Sequence, residues 1–179
     1  MKVLRRTQFG NPILRTVARH LSNDDINSPE IQMLIKNMYY TLDKKEYGVG
    51  LAAPQVGEGI AVAVVGIKPT PARPELKQEK LTLINPEIVK TYGNRTGMWE
   101  ACISGSELYG KALRYRKIKV RWQDEAAKSH EQDFDNFMAH VLQHEIDHLN
   151  GILFVDKVKD TKTFVTFSEY NKMRRSKLL

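Results

Sequence analysis

The segment from Phe134 to Leu149 restricts the fold of this chain more than any other stretch of its sequence. Its apolar residues recur at the three- and four-residue spacing of an α-helix, and Asn150-Gly151 supplies a stop signal. A helix with one apolar face has to bury that face against other elements. We therefore expect the fold to pack around this helix, through Phe134, Phe137, Met138, Val141, Leu142, Ile146 and Leu149.

The same helix carries an H-E-x-x-H motif at His144–His148. Residues i and i+4 lie on one helix face, so both imidazoles can bind one cation. At about 100° per residue, both histidines and Glu145 fall on the apolar arc, whereas His140 and Asp147 fall outside it. Buried ionisable groups are costly unless they are paired or bound to metal. The order and direction of the motif favour a metal over hydrogen-bonded core histidines with a salt-bridged glutamate.

A third ligand has to complete such a site. In proteases whose motif continues to a third histidine, that residue would stand at Phe154, which cannot bind a metal. A downstream carboxylate could serve, but Glu169 lies in a polar, basic segment where a fixed ligand is unexpected. Cys102, the only cysteine, is the remaining candidate, although a lone thiol is more often an inert core residue. A Cys-His-His set leaves a fourth position open for water.

The other elements predict an α+β fold. Ser28 and Pro29 begin an N-terminal helix, and the stretch Thr163–Leu179 is weakly helical. Small antiparallel or mixed β-sheets are expected around the central helix. Their strands are predicted at Ile60–Ile67, at Leu81–Ile84, where Asn85-Pro86 ends the strand, and at Lys117–Trp122. A polar loop with three prolines is predicted over Lys68–Lys80.

Composition restricts the function classes further. The 179 residues suit one domain over the whole length, residues 1–179. No apolar run is long enough to span a bilayer, and no secretory signal is readable, so a cytoplasmic protein without membrane contact is expected. The net charge of +7 is interpreted as a solvated surface, with no sequence-specific binding of nucleic acid.

Three motifs resemble those of the peptide deformylases. They are Gly48–Gln55, Glu100–Ser104 and Gln143–His148, in that family's order and roughly its spacing. The flanking stretches Asn11–Arg15 and Leu149–Phe154 are also similar to the family, so the resemblance covers nearly the whole chain.

The resemblance implies a metal-dependent hydrolase that removes the N-formyl group from N-formylmethionyl nascent peptides and releases formate. Cys102 and the two motif histidines would hold one divalent metal, Fe²⁺ in cells, for which Zn²⁺, Ni²⁺ or Co²⁺ can substitute. Glu145 would transfer protons. The side-chain amide of Gln55 and the backbone N–H of Ile103 would stabilise the oxyanion. The basic end Lys172–Lys177 is expected to be a solvated helix end, and in this family such a segment can contact the ribosome.

The resemblance also implies where the peptide binds. Val49, Gly50 and Leu51 would form an edge along which an extended peptide pairs. Gly50 would let the peptide backbone come close. The methionine side chain would lie in an apolar pocket whose walls are Val49, Ile103, Val141 and His144.

The chain departs from the family pattern around its cysteine. Ala101 stands where the family has glycine, and alanine would be costly there if the position required a positive φ. The run Gly105–Tyr109 also differs, and Tyr109 stands near the place of an arginine. The alternatives are therefore a deformylase-like metalloamidase with a changed substrate and a catalytically weak paralogue that binds nascent chains or ribosomes. The intact Gln55 and Glu145 argue against the second.

Overall fold

An antiparallel β-sheet of six strands is the main body of the computed structural model, which describes residues 1–44, 48–69 and 78–176. Its neighbouring strands run in the order β1-β2-β3-β4-β5, and β6 pairs with β4. The α+β prediction is confirmed, with one sheet among the described strands. The strands are β1 (Gly50–Ala52), β2 (Val62–Ile67), β3 (Glu79–Ala101), β4 (Leu108–Gln123), β5 (Ser129–Asp135) and β6 (Val165–Thr166).

Two of the four described α-helices precede the strands in the chain, one lies between β5 and β6, and one follows β6. Ser28 begins the N-terminal helix as predicted, because its side chain accepts a hydrogen bond from Ile31 N and Pro29 follows it at the first position. No described helix is long and apolar enough to cross a membrane. Residues 70–77 of the predicted polar loop and residues 177–179 of the basic end lie outside the described residues. The helices are α1 (Asn23–Asn27), α2 (Pro29–Asp43), α3 (Asn136–Leu149) and α4 (Phe167–Arg175).

Strand β2 lies between α2 and α3. Its residues Ala63, Val65 and Ile67 pack in one core cluster with the apolar residues of α3. Val62 and Val64, which point to the other face, pack in a second cluster with those of α2. A strand that is buried on both faces is expected to be apolar throughout, as this one is. The central position predicted for the motif-bearing helix is therefore confirmed.

Helix α3 begins later than the apolar spacing predicted. Phe134 belongs to β5, where it pairs with Ile118 and packs against Trp122. Asn136, with φ of 47°, turns the chain from the strand into the helix. Phe134 stands three residues before Phe137, which is a helical spacing even though Phe134 itself is in a strand. Spacing alone therefore assigned Phe134 to the helix.

The prediction that a strand ends at Asn85-Pro86 is wrong, because β3 continues through both residues. The pairing of β3 with β4 shifts register between Ile84 and Glu87, and this irregularity accommodates the proline, which cannot donate to the ladder. Asn85 adopts a φ of 50°. Its side chain accepts a hydrogen bond from Leu21 N and donates one to Leu21 O, both at 2.8 Å.

Candidate metal centre

Cys102, His144 and His148 place one donor atom each within 4.8 Å of one another. Cys102 Sγ lies 3.2 Å from His148 Nε2, and the Nε2 atoms of the two histidines are also 3.2 Å apart. With bonds of about 2.0–2.3 Å, the ligands of a tetrahedral metal stand about 3.5 Å apart. The three donors therefore fit one divalent metal. The other candidates do not join them: Phe154 is a buried core residue, and Glu169 forms a surface ion pair.

The chain brings these donors together from two places. Cys102 directly follows β3, and its carbonyl accepts a hydrogen bond from Gly105 N at 2.9 Å, which closes a tight turn. Its Sγ also accepts from Ser104 N at 3.4 Å. Both histidines lie on α3, one turn apart. The thiol is buried beside Ala112 and Phe154, and its sulfur faces nitrogen atoms of Gln55, Ser104 and His148.

Glu100 orients the histidine ligand next to it. One carboxylate oxygen contacts Nδ1 of His144, and the other lies 2.8 Å from Nε2 of His140. The guanidinium of Arg114 donates to the two oxygens at 2.7 and 2.9 Å and also to the carboxylate of Asp147. Burial by itself would raise the pKa of Glu100, but His144 and the hydrogen bonds from His140 and Arg114 outweigh it and hold the pKa well below its usual range. The anion fixes the ring so that Nε2 faces the other ligands.

This network agrees with the expectation that His140 and Asp147 are not ligands. Arg114, only 2% exposed, was not identified from the sequence. The alternation predicted at Lys117–Trp122 gives only a weak signal for it, because the pattern is interrupted at the exposed Arg116 before it resumes at the buried Arg114 and Ala112. A cation on a buried face requires anionic partners.

Glu145 lies beside the three donors and is 3% exposed. Its Oε2 has no hydrogen-bond partner in the part of the chain described, and neither has Nδ1 of His148. Burial raises the pKa of Glu145 to about 7. A carboxyl group with such a pKa can take up and release a proton near neutral pH.

Gly50 has no side chain, and the carboxylate of Glu145 occupies the space where a side chain would lie. A Cβ atom at position 50 would lie 2.2 Å from Oε1 of Glu145 and 2.6 Å from its Cδ. The sequence had suggested that this glycine admits the backbone of a peptide, and the structure gives it a second role. Any side chain here would displace the carboxylate.

The amide of Gln55 is fixed with its NH₂ group towards the sulfur. Its Oε1 accepts a hydrogen bond from Ala52 N at 2.8 Å. Its Nε2 lies 3.3 Å from Cys102 Sγ and 3.5 Å from Ser104 Oγ. The side chain is 1% exposed, so this orientation is maintained by packing as well as by hydrogen bonds.

Strand β1 is the first strand in the order of the sheet and pairs with β2 through Gly50 and Val65. In the described part of the chain no strand pairs with its other edge. Val49 packs against the core cluster that contains Val141, whereas Ile103 packs against the cluster of α2. Of the predicted pocket residues, Val49 and Val141 thus belong to the cluster of α3, and Ile103 belongs to the cluster of α2.

In the divergent loop around Cys102, the residues with positive φ are not the one suspected from the sequence, Ala101. Ala101 ends β3 opposite Tyr109, and its φ is not positive, so alanine is accommodated there. Positive φ angles occur instead at Ser106 (45°) and Glu107 (65°). The ring of Tyr109, near the place of the family's arginine, stacks on Tyr170 of α4 with centroids 4.2 Å apart.

Comparisons with known proteins agree with this geometry. The family model described as polypeptide deformylase matches residues 3–164. A peptide deformylase of Leptospira biflexa is 38% identical over 168 residues, 92% of each chain, and peptide deformylase 2 of a Nostoc species is 35% identical over 167 residues, 93% of this chain and 92% of its own. A class I type b peptide deformylase from Acinetobacter baumannii, solved with bound Met-Ala-Ser, superposes with a TM-score of 0.82 at 33% identity, covering 88% of this chain and 99% of its own. This chain belongs to the peptide deformylase family.

Proposed function

We propose that this protein removes the N-formyl group from N-formylmethionyl nascent peptides, with release of formate, and that residues 1–179 act as one catalytic domain. The observation that carries the proposal is the convergence of Cys102, His144 and His148 beside Gln55 and Glu145. The three donors suit a divalent metal, and the other two side chains supply an amide donor and a proton carrier.

One divalent metal held by this donor set would supply Lewis-acid activation of water and of the formyl carbonyl. We propose Fe²⁺ as the metal in cells. Mixed thiolate and imidazole donors also suit Zn²⁺, Ni²⁺ and Co²⁺, which are expected to substitute.

Glu145 is proposed to move the protons of the reaction. It takes a proton from the attacking water and delivers it to the amine that leaves, so that formate and a free N-terminus are released. Its burial and its unpartnered oxygen support this role, since no cation in the described chain holds it as a permanent anion.

Two neutral donors are proposed to stabilise the oxyanion. One is the NH₂ group of Gln55, which is already fixed because Ala52 N engages the amide oxygen. The other is the backbone N–H of Ile103, the residue that follows the ligand Cys102. Donors fixed before the reaction are effective because they need no reorganisation as charge develops.

The peptide is proposed to pair with the outer edge of β1, along Val49, Gly50 and Leu51. This edge is supported by the position of β1 at the end of the sheet and by the closeness of Gly50 to Glu145. The methionine side chain would then lie among apolar residues of the two adjoining clusters. The proposed walls are Val49, Ile103, Val141 and His144.

We place the protein in the cytoplasm, where formylated nascent chains emerge. We also propose that the basic end of α4, with Lys172, Arg174 and Arg175, contacts the ribosome. Strong loss of ribosome binding with added salt is expected for such a contact, and salt-insensitive or absent binding would contradict it.

Formate release from formyl-Met-Ala-Ser tests the activity, with anaerobically purified protein loaded with iron. Glu145→Ala should keep its metal and lose turnover. Cys102→Ala should lose the metal. Near-normal turnover by the first variant would remove Glu145 from its role, and full metal occupancy in the second would remove the thiolate from the site. A wild-type protein that holds metal but releases no formate would favour a paralogue that only binds nascent chains.

A second candidate is a metalloamidase with a different formylated or acylated substrate. It is favoured by the loop Gly105–Tyr109, where the aromatic stack of Tyr109 on Tyr170 replaces a cation. Turnover of formyl-Met, acetyl-Met and other formyl-amines should be compared. A clear preference for a substrate other than formyl-Met peptides would support this candidate.

A further inference from the structure

The N-terminal strap, residues Arg6–Phe9, crosses both segments that shape the metal centre. Thr7 N donates a hydrogen bond to Gln55 O at 2.8 Å, and Phe9 N donates one to Ser104 O at 2.9 Å. The strap therefore ties the segment that carries the amide donor to the loop that carries Cys102.

Just before the first of these contacts, the side chain of Arg6 reaches the loop that carries Cys102. Its Nη1 donates to the carbonyl oxygen of Ile103 at 3.2 Å, and Nε2 of Gln8 lies 3.5 Å from the same oxygen. Across residues 1–44, 48–69 and 78–176, no carboxylate forms a salt bridge with Arg6. The charge of this arginine therefore acts mainly on a peptide carbonyl.

That carbonyl belongs to the same peptide group as the N–H of Ser104, which donates to Cys102 Sγ at 3.4 Å. A cation bonded to the carbonyl oxygen polarises the peptide group and makes its N–H a stronger donor, because hydrogen bonds in a chain reinforce one another. Hydrogen bonds to a ligand sulfur change how much charge it gives to a metal. The guanidinium is thus connected to the sulfur through one peptide group.

We propose that Arg6 is a positioning residue for the thiolate of Cys102, acting through the peptide group between Ile103 and Ser104. This inference rests on the proposed ligation by Cys102. By drawing charge away from the sulfur, Arg6 keeps the bound metal a stronger Lewis acid. Removal of Arg6 is expected to lower kcat more than it changes KM, because its hydrogen bond goes to the backbone carbonyl of Ile103 and its effect through the sulfur acts on the chemical step.

The test uses protein loaded with Co²⁺, in which the sulfur-to-cobalt charge-transfer band reports the charge on the thiolate. Arg6→Met removes the donor and the charge but keeps a long side chain. The band should shift to longer wavelength, and kcat for formyl-Met-Ala-Ser should fall about 3- to 10-fold, less than for a direct partner of a ligand. Arg6→Lys should give intermediate values. Arg5→Met is the matched control, because Arg5 is exposed and no hydrogen bond from its side chain is present in the described part of the chain.

An unchanged band and an unchanged kcat in Arg6→Met would overturn the role of Arg6 alone. Equal shifts in Arg5→Met and Arg6→Met would assign the effect to net charge and would overturn it as well. If Arg6→Met does not fold, Arg6→Gln removes the charge but keeps an amide donor, so a smaller shift of the band in the same direction is expected and an unchanged band would again overturn the role of Arg6. A wild-type protein without the charge-transfer band would instead overturn the ligation by Cys102, and the inference with it.

Discussion

Replacing Gly50 by alanine should lower kcat about 100-fold while the metal stays bound. The new Cβ would lie 2.2 Å from Oε1 of Glu145, 2.6 Å from Cδ and 2.8 Å from Cγ. Carbon and oxygen atoms normally approach no closer than about 3.3 Å, so the carboxylate has to move by roughly 1 Å. Glu145 is 3% exposed, so this movement also displaces its neighbours.

Two magnitudes follow from this displacement. A catalytic group misplaced by about 1 Å can lower a rate about 100-fold, which corresponds to about 2.7 kcal/mol of transition-state stabilisation. Overpacking a buried site also lowers the free energy of unfolding, typically by about 1–3 kcal/mol. The three atoms nearest to the new methyl group all belong to Glu145, so metal content is expected to remain equal to that of the wild type.

The assay compares kcat, KM and metal content of Gly50→Ala with those of Gly59→Ala. Gly59 is a matched control because a Cβ there meets no atom within 4 Å and its φ is not positive. Gly59→Ala should keep wild-type kinetics and gain about 0.4–1 kcal/mol of stability through the unfolded state.

A wild-type kcat in Gly50→Ala would refute the argument that this glycine makes room for the carboxylate. A raised KM with unchanged kcat would assign Gly50 only to the approach of the peptide. Glu145→Asp supplies a second check, because its shorter side chain relieves the overlap. Gly50→Ala should therefore cost less in the Glu145→Asp background than in the wild type, as a double-mutant cycle measures.

Further predictions concern stability. Arg114→Met leaves the buried carboxylates of Glu100 and Asp147 without their shared cation. It should lower the free energy of unfolding, as measured by urea denaturation, by about 3–5 kcal/mol. A loss under about 1 kcal/mol would contradict this role of Arg114. Burial raises the pKa of Tyr39 to about 12, so the stabilisation by its neutral hydroxyl is complete below pH 10 and is lost as pH rises to 12. The free energy of unfolding of the wild type should therefore fall more steeply than that of Tyr39→Phe between pH 10 and 12. Parallel profiles for the two proteins would refute this expectation. Removal of the metal by a chelator should lower Tm, because only the folded chain assembles the three donors. Addition of Co²⁺ should restore the original Tm. An unchanged Tm would contradict metal binding by the folded chain.

Local chemistry predicted much of the fold. The N-cap at Ser28 was enough to predict the start of α2, because it is a contact between residues that are near in sequence. The apolar period was enough to predict α3, because it repeats over several turns. The bounds of β3 could not be predicted, because Asn85 and Pro86 normally end a strand. Here a register shift and side-chain hydrogen bonds of Asn85 to Leu21 keep the strand in place, and these contacts join residues far apart in sequence.

The grouping of the three donors was predictable because the helical motif fixes two of them and the single cysteine left few candidates for the third. The residues that support them were not predicted, since their partners lie on different elements. Arg114 meets Glu100 and Asp147 only when β3, β4 and α3 are packed together. The strain at Ser106 was also unexpected, because the motif comparison directed attention to Ala101.

The shared cation of Arg114 has a consequence for the order in which the protein is made. Cys102 and Arg114 are synthesised before α3, so a shortened chain that ends ahead of the helix has one of the three donors and a cation without Asp147. Metal capture must then wait until the helix has docked on the β3–β4 hairpin. Uptake of the metal is therefore expected to report that α3 has docked, because only then do all three donors face one another.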